Sequence, residues 1–590
     1  MKKLYLLLPV LAVIFFIITG QKSPDVPQKW AIDHSTGIYD PSMTVSAPLP
    51  QADINYVNPN TETRIIQTPY EELAVTPNVR VLPRTNSWQT EVDIKRHPTN
   101  PNIMFGSSNA FNNVGSLFIS EGVYVTTNGG LNWFGSDTTT GAPISNHGGD
   151  PGITIDKNGT LIQTHLGFAT SGMFANYSTD NGLSWSPNYT IQSGSVDKNL
   201  AGTDDSPTSP YYGRSYCVYT RFSAPYPATI SYTSNSGVSW SAPTTIITPV
   251  SGYIARGEDV RTARNGDVYV TWANNVGSGP EDFCAFAKST DGGVTFTGNN
   301  NVFDMNGLLV FGTGFAPYGI RMNSFVRMDV DKSGGPRDGW IYIVTSQKNL
   351  APAGSDPDII LHRSTDGGTT WSAGIRVNQD PLNNGKQQFY NAIKVDEAGG
   401  VNVVYYDNRN TAADSAEVMI SRSLDGGTTW TDIVVSDHRF RPKAVTLSGI
   451  AGGYAGDYIG ITSGNGKLWP IWMDDITGIY QAWTTGVQIT TYALNAFNLN
   501  SPAPNSRIQS FPNGTTNYTF NWDTSASTAS YKWIFGNPTA TTRKITLTPT
   551  GNTLNITDGQ LDVLLAGLGV APGDSLIGQW NVWAFRNNAT

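Results

Sequence analysis

The stretch RSTDGGTTW, residues 363–371, decides the fold, because the chain carries six versions of it. The others read TTNGGLNW at 126–133, STDNGLSW at 178–185, TSNSGVSW at 233–240, STDGGVTF at 289–296 and SLDGGTTW at 423–430. Each version opens on Ser or Thr, sets Asp or Asn two residues later, keeps Gly at its fifth position and closes on Trp or Phe. These slots describe a tight turn between two strands. The Asp or Asn side chain accepts backbone N–H groups inside the turn, and Gly takes a φ > 0 position. The hydroxyl closes the turn further, and the aromatic ring is expected to anchor it on apolar side chains of the following strand.

The versions start at 126, 178, 233, 289, 364 and 423, so each lies 52 to 75 residues from the next. That is the length of one four-stranded sheet with its loops, the unit of a propeller. The fourth unit reads most clearly. It offers a strand at 258–263, a turn at Asn265-Gly266-Asp267, a β-rich strand at 268–272, a loop, a strand at 283–288, the motif and a last strand. A seventh unit at 457–486 lacks the motif and is one strand short. Closing a ring removes exposed sheet edges, so a strand near 78–82 is expected to complete that unit. The prediction is an all-β, seven-bladed propeller over residues 85–488, with six blades as the alternative, and an extended N-terminal arm at 21–84.

Composition narrows the function classes. Charged residues make up 14% and Gly numbers 61, which suits a turn-rich exported β-protein. The net charge of −9 and the absence of a basic stripe argue against a nucleic-acid partner. Cys217 and Cys284 fall in different repeats, which predicts two buried small hydrophobes, with no disulfide framework and no metal site. Lys2 and Lys3 precede an apolar run at 4–19, so residues 1–20 read as a signal peptide. An uncleaved anchor is the alternative. The expected location is secreted or at the cell surface, as a monomer with no membrane span after cleavage and no cofactor.

Beyond about residue 490 the pattern changes. Strands are expected at 520–523, 531–535, 543–548 and 580–585, and Leu561, Leu564, Leu565 and Leu568 stand at helical spacing. Residues 489–590 resemble the small immunoglobulin- or fibronectin-like β-sandwich domains appended to secreted bacterial surface proteins. The chain stops just after a strand, which leaves open a missing last strand or a fragment.

Strand parity locates the face where chemistry belongs. In an up-and-down blade the 1–2 and 3–4 turns share one face, and the 2–3 loops with the 4–1 connections share the other. Every motif is a 3–4 turn, so Asp180, Asp291, Asp366 and Asp425 are turn residues. The long segments at 298–322, 346–357, 407–416 and 432–456 fall on the opposite face, where ligands usually bind. Polar residues recur where first strands enter the central channel from that face: Glu91, Asp93, Asp150, Asp197, Lys198, Arg256, Glu258, Asp259, Arg261, Asn323, Arg327 and Asp457. Tyr405, Tyr406, Asp407 and Arg409 end a second strand there.

The six motifs resemble the Asp-box, or bacterial neuraminidase repeat, of the sialidase-like β-propeller superfamily. Segments such as DKNLAGTDDSP, YYDNRN and AGDYIGITSGNGKLWPIWMDD look like a large group of secreted bacterial proteins labelled sialidase-like by these repeats. The resemblance covers about residues 85–488. It implies three arginines on a substrate carboxylate, a Tyr activated by a Glu, an acidic acid/base and an early [F/Y]-R-I-P motif. The nearest match to that motif is RVLP at 80–83, which departs at two positions. Two functions follow as expectations. One is a glycoside hydrolase of exo-sialidase type, with Glu258, Asp259, Asp150 and Tyr406 as catalytic candidates and Arg256, Arg261, Arg327, Asp407, Arg409 and Asp457 holding substrate. The other is a non-catalytic propeller binding a glycan, glycoprotein or other protein through the same face.

Overall fold

A computed structural model describes residues 51–585 apart from short internal stretches, the longest being 138–145 and 537–543. The expected signal segment at 1–20 and the first part of the expected arm lie outside the described residues. The chain is a β-propeller followed by a small β-sandwich. Five four-stranded sheets follow one another between residues 152 and 434, each ordered 1-2-3-4 in chain sequence. A sheet built on Ser87–Arg96 precedes them, and one built on Gly460–Gly464 follows. Their first strands touch in cyclic order: Ser87–Arg96, Gly152–Ile155, Val196–Thr203, Ile254–Thr262, Arg327–Val330, Gln388–Val395 and Gly460–Gly464, which returns to Ser87–Arg96. These seven strands line a central channel.

Closure uses the arm. Val79–Arg80 pairs with Gln481–Thr484 through Val79 opposite Thr484 and Arg80 opposite Trp483, supplying the outer strand the last sheet lacks. Glu71–Val75 pairs with Val487–Thr491, and Arg64–Gln67 adds a further strand beyond it. An open edge would leave its backbone groups without partners, so the arm removes a site of intermolecular pairing.

Each motif joins the third and fourth strands of its sheet, on the face opposite the 4–1 connections. In the copy at 364–371, Asp366 Oδ1 accepts the Thr369 and Thr370 amides at 3.1 and 2.9 Å and the Ser364 hydroxyl at 2.8 Å. The Gly368 amide donates to Ser364 Oγ at 2.8 Å, and Gly368 has φ +90°. The aromatic residue departs from expectation. Instead of packing on its own following strand, Trp371 packs edge-on against Phe286 of the preceding sheet, with centroids 5.2 Å apart. Trp185 likewise crosses to the preceding sheet, meeting Phe105 in a tilted contact with centroids 5.8 Å apart. The turn therefore joins neighbouring sheets as well as strands.

After the ring, Leu499–Ser501, Asn517–Trp522 and Thr553–Thr557 form one sheet, and Ile545–Leu547, Ser530–Phe535 and Trp580–Phe585 form another. Phe520, Trp522, Tyr531, Trp533 and Ile556 share the core between them. A helix at Asp558–Gly567 carries the leucines and starts on a capping box made by Thr557 and Gln560. Both cysteines are buried and free.

Candidate functional site at the channel mouth

A single backbone device, repeated around the ring, builds the mouth. Glu91, Asp150, Lys198, Gly257, Tyr390 and Gly456 all have positive φ, between 42° and 93°. In four of the sheets the first and second strands lose register at this point, the mark of a β-bulge. Four of the six residues are neither glycine nor asparagine, and a bulky residue in this region is held there only by its surroundings. Gly257 has a steric reason as well, since a Cβ there would come within 2.6 Å of the Phe325 ring. At three of these positions the residue two places further on, Asp93, Asp259 or Tyr458, meets the Arg327 guanidinium.

Charges from opposite sheets meet there. Arg327 lies 3.6 Å from Asp93 and 3.8 Å from Asp259, side chains of three different first strands. Asp259 also pairs with Arg261 at 2.5 Å, and Arg261 reaches Asp329 at 3.6 Å. Asp457 takes both Arg321 Nε, at 3.0 Å, and Arg321 Nη2, at 2.5 Å. Asn323 adds a donor to Asp457 at 3.1 Å. On the far side, the Tyr454 hydroxyl donates to Glu91 at 2.9 Å, and Asn109 joins that hydroxyl to Asp150.

Lys198 occupies the middle of this ring. It is 6% exposed, and its ammonium sits 3.3 Å from the centroid of the Tyr458 ring with no hydrogen-bond acceptor among the described residues. Burial and the positive charge of Arg327 push Lys198 down to about 8, against the opposing pull of Glu91, Asp150 and Asp457. Lys198, Phe325, Arg327, Tyr390, Asp457 and Tyr458 wall a pocket at the mouth.

The structure thus brings Asp150, Asp259, Arg261, Arg327 and Asp457 to the channel. Glu258 points between sheets, fully buried, with one oxygen on the Thr220 hydroxyl at 2.8 Å and the other without a hydrogen-bond partner among the described residues. Burial raises it to about 7. Arg256 lies beside it, its guanidinium 5.3 Å from the Phe222 ring. Three further candidates stand elsewhere than expected. Tyr406 is buried among Phe389, Tyr390 and Phe440, and its hydroxyl donates to the Met473 carbonyl, so a core position replaces the expected nucleophile. Asp407 and Arg409 pair with each other at 2.7 Å, and Arg409 also binds Asp432, away from the pocket. Sequence reasoning missed Arg321, Tyr390, Tyr454 and Tyr458. Their one signal is position, because Tyr390 and Tyr458 occupy the repeat slots of Lys198 and Asp259.

No protein-family model matches the chain, and no curated protein matches it. Solved structures similar to it include a protein of unknown function from Dyadobacter fermentans DSM 18053, with TM-score 0.40, 11% identity, and coverage of 71% of this chain and 99% of that one. An ulvan lyase has TM-score 0.42 and 11% identity over 69% of this chain and 94% of its own. A Hadza microbial sialidase has TM-score 0.35 and 14% identity over 65% and 73%. Likeness at this level leaves ligand and reaction to be argued from the residues themselves. Among the described residues, no helix is long and apolar enough to cross a membrane, and no cluster of metal-ligating side chains occurs.

Proposed function

We propose that this chain is an exported, glycan-directed propeller that binds its ligand at the channel mouth without sialidase-type turnover. One observation carries the reading: the arginines that an acid-sugar hydrolase would need are already committed. Arg327, Arg261, Arg321 and Arg409 each face at least one aspartate within 4 Å. A bidentate grip on a substrate carboxylate requires guanidinium groups free to turn to it. The nucleophile candidate of the turnover reading, Tyr406, is spent on a backbone carbonyl, and the Tyr–Glu contact at the mouth is Tyr454 with Glu91, both buried. Glu258 has the raised value a general acid wants, but its full burial keeps it from a sugar. Export rests on Lys2, Lys3 and the apolar run behind them. The glycan assignment rests on the motif resemblance and on a mouth that mixes donors, carboxylates and aromatic rings.

The test is a glycan array of the purified protein, run beside a fluorogenic sialoside assay and a xyloglucan hydrolysis assay. Glycan binding with neither substrate cleaved is the expected result. Cleavage that disappears in Asp150→Asn would overturn the binding reading.

A further inference from the structure

The geometry points to a subsite at the mouth for one neutral, hydroxyl-rich sugar residue, which deepens the glycan-binding reading and rests on it. Three donors there have no hydrogen-bond acceptor among the described residues: Lys198 Nζ, the Tyr458 hydroxyl and Arg327 Nη1. Two stand on first strands, Val196–Thr203 and Arg327–Val330, and Tyr458 just before the strand Gly460–Gly464; they are 6%, 3% and 2% exposed for Lys198, Arg327 and Tyr458. Buried polar groups are nearly always hydrogen-bonded, so three such donors lining one pocket are poised for oxygen atoms that come with a ligand.

Charge then selects the class of ligand. Lys198 already feels Glu91, Asp150 and Asp457. Arg327 lies between Asp93 and Asp259, and Arg321 is held through two nitrogens by Asp457. A carboxylate or sulfate entering here would meet those acids, and the one cation it could reach, Lys198, already lies in the field of three of them. A neutral ring meets no such repulsion. Its oxygens can accept from Lys198, Tyr458 and Arg327, and its hydroxyl protons can go to the carboxylates around them. Phe325 and Tyr390 supply apolar wall for its C–H groups. The enclosed space there is about 10 Å³, room for one hydroxyl-sized group, so an edge hydroxyl of the ring enters it and the ring itself stays at the mouth.

The experiment titrates the full chain by calorimetry with neutral methyl glycosides of the gluco, galacto, manno, xylo, rhamno and fuco series, and with glucuronate and N-acetylneuraminate. The same titrations are made with Lys198→Met and Tyr458→Phe. At least one neutral glycoside should bind, weakened about tenfold or more by Lys198→Met and about threefold or more by Tyr458→Phe, as loss of a charged and a neutral hydrogen bond implies. Neither acid should bind more tightly. Should Lys198→Met not fold, Tyr458→Phe decides, since it removes one oxygen that has no hydrogen-bond partner among the described residues. Lys198-dependent binding of an acid, failure of every neutral glycoside, or unchanged binding in both variants would each overturn the subsite. Array binding retained in both variants would remove the subsite alone, whereas an empty array would remove the glycan reading itself.

Discussion

Glu71 and Arg422 stand 351 residues apart in the chain, and the carboxylate of one holds the guanidinium of the other through two bonds of 2.5 and 3.0 Å. Arg422 also binds Asp396 at 2.5 Å, and both members of the pair are buried. The pair ties the N-terminal arm to a neighbouring sheet at the point where the ring closes. Glu71→Gln should therefore destabilise the propeller by about 1.5–3 kcal/mol, the range of a lost charged hydrogen bond, because Arg422 keeps Asp396 as a partner. Denaturant midpoints of wild type and variant measure it. A loss below about 1 kcal/mol, the range of exposed pairs, would show that the clasp is not needed for closure.

The arm has a second clasp that responds to pH. Asp437 accepts the Asn78 amide at 2.8 Å and Asn58 Nδ2 at 2.7 Å, while His438 lies between Asp437 and Asp474 at 2.8 and 3.0 Å. Burial alone would lower His438, but the two carboxylates outweigh it and hold it up at about 9. A group raised in the folded state stabilises fully below its unfolded value of about 6.5 and loses that contribution as pH climbs through the folded value. Thermal midpoints should fall between pH 7 and 9, and His438→Asn should flatten that slope. An unchanged slope would assign the loss to other groups.

The motif aspartates are structural. Asp366→Ala should cost roughly 0.5–2 kcal/mol, as a lost side-chain cap does, and leave glycan binding untouched. The Thr370 hydroxyl and amide hold Asp366 down to about 2. Its contribution is present above the unfolded value of about 3.9 and disappears as pH falls through the folded one. Acid titration of the variant should lack that step. Lost binding in a fully folded variant would contradict the assignment.

Arg327 and Arg409 were alike as candidates in the sequence, and the structure separates them. Arg327→Lys keeps one positive charge but loses the fork that reaches Asp93 and Asp259, so it should weaken glycan binding about tenfold or more. Arg409→Lys should leave binding unchanged and lower only stability, because Arg409 serves Asp407 and Asp432. Equal effects on binding would place both residues at one site.

The contrast shows where the sequence was legible. Each turn is built from contacts within four residues, such as Ser364 Oγ with Asp366 and Gly368, so its signature is local and readable. Closure was legible because a strand was missing, and Val79–Arg80 supplies it. The mouth was only partly legible. It depends on left-handed residues at Glu91, Asp150, Lys198 and Tyr390, and nothing in those residue types announces positive φ. Tyr406 misled for another reason. Its sheet is packed on both faces, so Tyr405 bonds Ser421 on one side while Tyr406 bonds Met473 on the other, and alternation marks no open face.

The most direct measurement is a crystal structure of the full chain soaked with the tightest oligosaccharide from the array. The account predicts one neutral ring at the channel mouth, with an oxygen within about 3.2 Å of Lys198 Nζ and another near the Tyr458 hydroxyl. A ligand seated on the face of the motif turns, on the sheets at 499–585, or with an acidic group held by Arg327 and Arg321 freed from Asp457 would contradict it.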